Sequence, residues 1–351
     1  KGGVRTQGLR VTGAFTALSN KNFRSYALST GLSNTGTWMQ RVAQTWLVLT
    51  LTGNSGTALG IATGLQFLPI LLLSPHAGVV ADRFDRRRTL QFAQLPMALP
   101  AAVLGILAIT GTARVWHVYL IAFLFGCGSA LEAPTRESFV SELVDSKLLP
   151  SAIGLNSASF NIARMLGPAI AGLMIGALGG GGTATGWVIL INSASYAAVV
   201  IAVQRMNFAE LRPSQHKAAE RGSISDGVRF VRGRLDVLLI LSVALLTGVC
   251  GHIFQLTSAL MATEVYGKGA TAYGLLGTVM AVGAVAGGLF GARLGRPRLR
   301  TLMSAALGLG VADIGAGLAP SYLVFALWSP LLGFTAVLVI NTASTLLMTS
   351  V

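Results

Sequence analysis

The chain has 351 residues, of which 53% are hydrophobic and 11% charged, with 43 glycines and a mean hydropathy of +0.67; soluble globular proteins carry about 25% charge. Twenty-six basic and 12 acidic residues cannot coat a water-facing body of this size, so the remaining solvent is lipid. A net charge of +14 suits a polyanion only if it forms one basic face, and its placement along the chain decides the matter.

Residues 1–24 form a basic leading segment. It begins at Lys1 and has no short apolar stretch ending in a small-residue cleavage site, so no signal peptide is expected. A hydrocarbon core of about 30 Å takes roughly 20 apolar residues per helix. Ten such runs are predicted, at 25–51, 57–80, 89–111, 116–139, 149–178, 185–204, 237–262, 272–292, 301–319 and 322–350. They make this an all-α membrane protein. Barrel strands alternate over about ten residues, whereas LQFLPILLL and LVFALWSPLLGF are continuously apolar.

The first span carries Asn34, Thr37, Arg41 and Gln44 at i, i+3, i+7 and i+10, a polar face on an apolar helix. The fourth holds Glu132 one turn before Arg136, with Pro134 between them; Glu132 is open to pairing with Arg136, to reaching Arg164, or to carrying a proton. In the fifth, Ser157, Asn161 and Arg164 share a face. Gly179 to Gly182 read as a flexible turn. Between 205 and 236 runs the one polar segment long enough to divide the chain, six spans (25–204) before it and four (237–351) after. Within it Ile224, Val228, Val231 and Leu235 make an apolar stripe, expected as an interfacial amphipathic helix. His252 and Gln255 lie one turn apart in the seventh span, open to a packing role or to facing a cavity. Asp313 is a lone carboxylate in the ninth, either a coupling group or protonated and silent.

Twenty-two of the 26 Lys and Arg fall before the first span and in alternate loops, counting Arg136 at the end of the fourth span with the loop that follows it; the other loops hold only Arg114 and Lys268, and Arg41 and Arg164 lie deeper inside spans. The positive-inside rule then puts the N-terminus and the central loop in the cytoplasm, and nucleic acid is not an expected partner. An offset of 214 lays GNSGTALG (53–60) on GKGATAYG (267–274), four of eight positions being identical. Each is a turn joining the first two spans of its half, so two parallel half-bundles are expected. If the second half matches the first it is expected to have six spans, of which four are seen before Val351, open to two further spans beyond it or to a shorter second half. Cys127 and Cys250 lie in apolar runs as small buried thiols.

The loop after the second span, GVVADRFDRRR, resembles the signature loop of the major facilitator superfamily: a Gly, then Asp-Arg four residues on, then a basic cluster. The resemblance implies two pseudo-symmetric six-helix bundles, here with about ten of twelve helices present. It also implies a conformational latch of Gly78, Asp82, Arg83, Arg86, Arg87 and Arg136, with Asp85 standing where the family usually has Gly. A second match, Gly154, Ala163, Gly167, Pro168, Ala171 and Gly172 in the fifth span, resembles the helix-bend motif of the family's antiporters and exporters, with Ala for Gly at two positions. FGCGSA (125–130) resembles the end of a third motif, but Ala122 stands where that motif's Arg is linked to proton coupling, so coupling is not carried over from it.

Phrases such as TWMQRVAQTWLVLTLTG, LEAPTRESFVSELV and LNSASFNIARMLGPAIAGL are similar to the bacterial branch that includes enterobactin exporters. That branch implies a secondary transporter in the bacterial inner membrane, working as a monomer by alternating access, that exports a siderophore or drug-like molecule against a proton or another coupling ion. An importer of a small polar solute, or a membrane channel or enzyme, stands as the alternative. No GxxxxGK[ST], HExxH, paired-Cys or GxSxG motif occurs, so neither cofactor, metal nor catalytic residue is expected. The substrate site is expected at Asn34, Thr37, Arg41, Gln44, Glu132, Asn161, Arg164, His252, Gln255 and Asp313.

Overall fold

The computed structural model describes residues 15–206, 232–294 and 298–350. After a short 3-10 turn at Thr16–Ser19 come ten long helices: α1 (Lys21–Thr52), α2 (Gly56–Arg83), α3 (Arg86–Ile109), α4 (Val115–Leu143), α5 (Leu149–Ala177), α6 (Gly182–Gln204), α7 (Leu235–Leu260), α8 (Ala270–Arg293), α9 (Leu299–Gly317) and α10 (Tyr322–Ser350). Lipid offers backbone amides no partner, so each span must close its hydrogen bonds internally, which a helix does. Eight of the ten, α2 to α6 and α8 to α10, are long and apolar enough to cross a membrane. Lys21, Arg24, Arg41 and the polar stripe dilute the hydropathy of α1, and many side chains of α7 lie outside the described set. The stripe expected at 224–235 falls almost wholly on residues outside the described ones.

Side chains and glycines set the helix limits. Asn20 accepts from the Phe23 amide, Ser55 from that of Ala58, and Asp85 from that of Arg88 at 2.8 Å. The loop expected at 81–88 is therefore only Phe84 and Asp85. α2 runs on through Arg83, and Asp85 serves as the N-cap of α3. Gly53 and Gly267, aligned by the 214-residue offset, have φ of +59° and +58°, a left-handed turn that a side chain would strain. The Gly179–Gly182 turn is tied down: Trp46 Nε1 donates to the Gly180 carbonyl at 2.7 Å.

The chain forms two compact units, one of Lys1–Gly167 with Ala177–Ser214, the other of Pro168–Gly176 with Gln215–Val351. In the first, α2 packs on α4, α3 on both α4 and α6, and α1 on α6. The second repeats this pattern with α8 on α10 and α9 on α10. The repeat extends to single atoms. A methyl group on Gly126 of α4 would collide with the Gln66 carbonyl of α2; one on Gly333 of α10 would collide with the Met280 carbonyl of α8, and Met280 is the residue 214 places beyond Gln66. Small residues thus sit inside, with Ala43, Ala101, Ala122 and Ala130 buried, while Leu71, Leu99, Leu323 and Leu327 project outward. Hydrocarbon gives helices no hydrophobic drive to associate, so close backbone approach and dispersion must hold them together.

Gly126→Val and Gly333→Val are each expected to lower the thermal unfolding midpoint of detergent-purified protein by several degrees, because a backbone carbonyl cannot give way. Gly154→Ala meets open space and is expected to leave it unchanged.

Candidate functional site

The polar stripe of α1 is the spine of the site. Trp38, 9% exposed, faces the middle of α5, where Phe160, Arg164 and Gly167 follow at helical spacing. Phe160 meets the indole edge-on at 5.9 Å. Gly167 lies so close that a methyl there would come within 2.6 Å of the Trp38 Cβ. The Arg164 guanidinium carbon lies 5.5 Å from the ring centroid, and that of Arg41, one turn along α1, lies 4.4 Å from it. Two cations thus share one aromatic ring, whose quadrupole attracts both and desolvates both.

Neither guanidinium has a carboxylate at ion-pair distance among the described residues, and the buried Arg41 Nε finds no acceptor among them. An ionised side chain at mid-bilayer costs about 2.5–3.5 kcal/mol on insertion scales. Two such groups without a counter-ion are affordable only beside polar neighbours, and those are present. Thr37, Gln40, Arg41, Gln44, Gln66 and Phe125 surround a tight crevice that has no room for a water molecule.

Gln44 donates to Gln66 Oε1 at 3.4 Å. Asn192 of α6 donates to Gln40 Oε1 at 2.6 Å and to the Tyr196 hydroxyl at 3.0 Å, which Thr37 meets at 3.0 Å. Gly36 allows this: a side chain there would strike the Asn192 amide. Trp38, Gln40, Gln66, Asn192 and Tyr196 were not expected from the sequence. The pair Asn192 and Tyr196, one turn apart in an apolar span, was the available signal.

Asn34, at the other end of the stripe, is bound to a different cluster. Its Oδ1 accepts from Arg136 Nη1 at 3.1 Å, and Arg136 Nε stands 3.5 Å from Glu132 Oε1. Of the three roles open to Glu132, the structure displays the pairing with Arg136. Arg136 is accordingly seated among Asn34, Glu132 and, through electrostatics, Tyr26 and Glu137.

For the rest of the latch, Arg86 is buried and pairs with Glu142 of α4 at 2.6 Å, a partner not foreseen, and Arg83 ends α2. Arg87 belongs to the first turn of α3. Gly78 has open space beside it, and the side chain of Asp82 lies outside the described ones, as do those of His252 and Gln255.

Asn161 is exposed and donates its amide to the Ser157 carbonyl of its own helix at 2.9 Å. Gly154 has no described atom within 4 Å of the place a Cβ would take. The other motif positions divide by face. Ala163 and Gly167 pack in the first unit, whereas in the second Pro168 and Gly172 lie against Gly274 of α8, with Thr271 Oγ1 donating to the Gly172 carbonyl at 3.1 Å. Ala171 is fully buried. Asp313, in α9, is half-buried and belongs to the second unit.

Residues 12–351 match the family model described as transmembrane secretion effector. Among curated relatives, the staphyloferrin A transporter of Staphylococcus aureus is 37% identical over 40% of this chain and 35% of its own length. The multidrug efflux pump Tap of Mycolicibacterium fortuitum is 33% identical over 40% of this chain and 35% of its own. These matches span about a third of each relative. Among solved structures, an inward-facing, unoccupied bacterial homologue of the human lysosomal transporter Spinster aligns with a TM-score of 0.70 at 16% identity, covering 93% of this chain and 75% of that one; such a likeness speaks for the fold.

Arg136→Gln is expected to lower thermal stability more than the double change Glu132→Gln with Arg136→Gln, because the single change leaves a buried carboxylate unanswered. Unfolding midpoints of the two variants and of wild type check this.

Proposed function

The chain belongs to the transmembrane secretion effector family of major facilitator transporters, and on that premise we propose that it exports a small molecule by alternating access of its two units. The observation that carries this reading is the family match running over residues 12–351. The polar interior of the first unit supports it, since a purely structural bundle has no use for a cleft of amides and unanswered guanidinium groups in lipid. The names of the relatives, a siderophore transporter and a multidrug pump, suggest that the cargo lies in that range.

In this reading the protein is a monomer in the bacterial inner membrane with its N-terminus in the cytoplasm, as the loop charges direct. A coupling ion, taken here as the proton, drives transport. Glu132 is the acidic group of the first unit best placed to couple it, because protonation would free Arg136 to turn from Glu132 toward cargo or toward Asn34 alone. Residues 25–204 and 237–351 act as the two moving bundles joined by the 205–236 linker. His252, Gln255 and Asp313 furnish the second bundle's share of the path. Asp82, with Arg83, Arg86 and Arg87 beside it in sequence, latches one conformer.

Transport in sealed vesicles with an imposed pH gradient tests the proposal. Wild type is expected to move cargo against its gradient only when the pH gradient is present; movement that merely equalises concentrations would make the protein a channel. Asp82→Asn is expected to leave membrane abundance unchanged and to lower the initial export rate several-fold. An unchanged rate at equal abundance would remove the latch.

A further inference from the structure

We propose that the Arg41–Trp38–Arg164 array is an anion-binding site, and that the cargo is a small organic molecule carrying at least two carboxylates. The inference rests on the transporter reading and names its substrate class.

Arg41 and Arg164 come from different helices, yet both are set against one indole, so the distances of 4.4 and 5.5 Å bound the separation of the two guanidinium carbons at their sum. Any separation within that limit is within reach of two carboxylates on a short carbon skeleton. Glu132 does not neutralise the array, for it is paired with Arg136. Glu142 is likewise paired with Arg86 at the far end of α4. Arg41 Nε is a buried donor with no acceptor among the described residues, and it borders the cleft of Thr37, Gln40, Gln44 and Gln66.

A guanidinium presents its donors as a planar fork that matches a carboxylate two bonds at a time. A buried donor of that kind keeps its full desolvation penalty until an acceptor arrives. The crevice is closed to any molecule in this conformer, so cargo has to part it, after which the amides and the Thr37 hydroxyl beside Arg41 can take up polar groups of the carbon skeleton. A lipophilic cation would meet two like charges at close range in low dielectric and, among the described residues, no unpaired carboxylate beside them to answer it. The same residues therefore attract one class of cargo and repel the other.

The probe is tricarballylate, compared with its neutral trimethyl ester and with the tetraphenylphosphonium cation, each titrated against the full-length protein in lipid nanodiscs and followed by tryptophan fluorescence and calorimetry. Saturable binding of tricarballylate, with neither the ester nor the cation binding comparably, is expected. Arg41→Gln and Arg164→Gln should each weaken it roughly tenfold or more, and Arg41→Lys should weaken it less than Arg41→Gln. The gel-filtration profile and helical circular dichroism of each variant show that it is folded. Should tricarballylate fail to bind, or bind the folded double Gln variant as tightly as wild type, the site assignment is overturned. Preferential binding of the phosphonium ion overturns it as well. Vesicle export separates this from the broader reading: a wild type that exports a cationic dye but not the tricarboxylate loses the substrate class and remains a transporter.

Discussion

A charge inside hydrocarbon must be answered from within the protein, and most of what is distinctive in the first unit follows from that constraint. Besides Arg86, buried against Glu142 at the start of α3, three described guanidinium groups enter the interior, at Arg41, Arg136 and Arg164, and the chain meets them in two ways. Arg136 receives a carboxylate from its own helix and an amide oxygen from α1. Arg41 and Arg164 receive the face of Trp38. The aromatic answer is weaker than the ionic one, because a quadrupole attracts a cation without neutralising it. It leaves the donor edges of both groups available, and so it is the answer expected where a ligand has to compete.

Trp38 also settles the fit of α1 on α5. The indole fills the space that Gly167 leaves open, and Phe160 locks it from one side. Gly167 belongs to a motif associated with helix bending, but in this chain its measurable duty is to let a large side chain reach the neighbouring backbone. The next residue, Pro168, faces α8 within the second unit. One short stretch of α5 therefore serves two packing surfaces, and the small residues there are needed for reach as much as for flexibility.

The two units share their packing at the level of single carbonyls. Gly126 on Gln66 and Gly333 on Met280 are the same contact made twice, although almost nothing in the two sequences around them is alike. Backbone oxygens have no identity to conserve, so a repeat resting on glycine and carbonyl survives extensive change in the side chains. Sequence comparison detected the repeat only at the turn, where positive φ at Gly53 and Gly267 demands a particular residue.

By itself, the sequence determined the medium, the number of helices and their approximate limits, because each follows from the length of an apolar run and the cost of charge in lipid. It also placed Asn34, Thr37, Arg41 and Gln44 on one face, since helical periodicity is local. It was misled at 81–88, where a capping carboxylate shortened the loop to two residues, and it did not show that the Asn161 amide bonds to its own helix. Only the tertiary structure decided that Arg41 and Arg164 converge on one indole, that Glu132 is taken by Arg136, and that Asn192 and Tyr196 complete the polar interior. The convergence on Trp38 and the bonds from Asn192 and Tyr196 to Gln40 and Thr37 join residues more than a hundred positions apart, which no local pattern in the chain encodes, whereas the Glu132–Arg136 pair lies within one helical turn and only the choice among its three open roles was left to the structure.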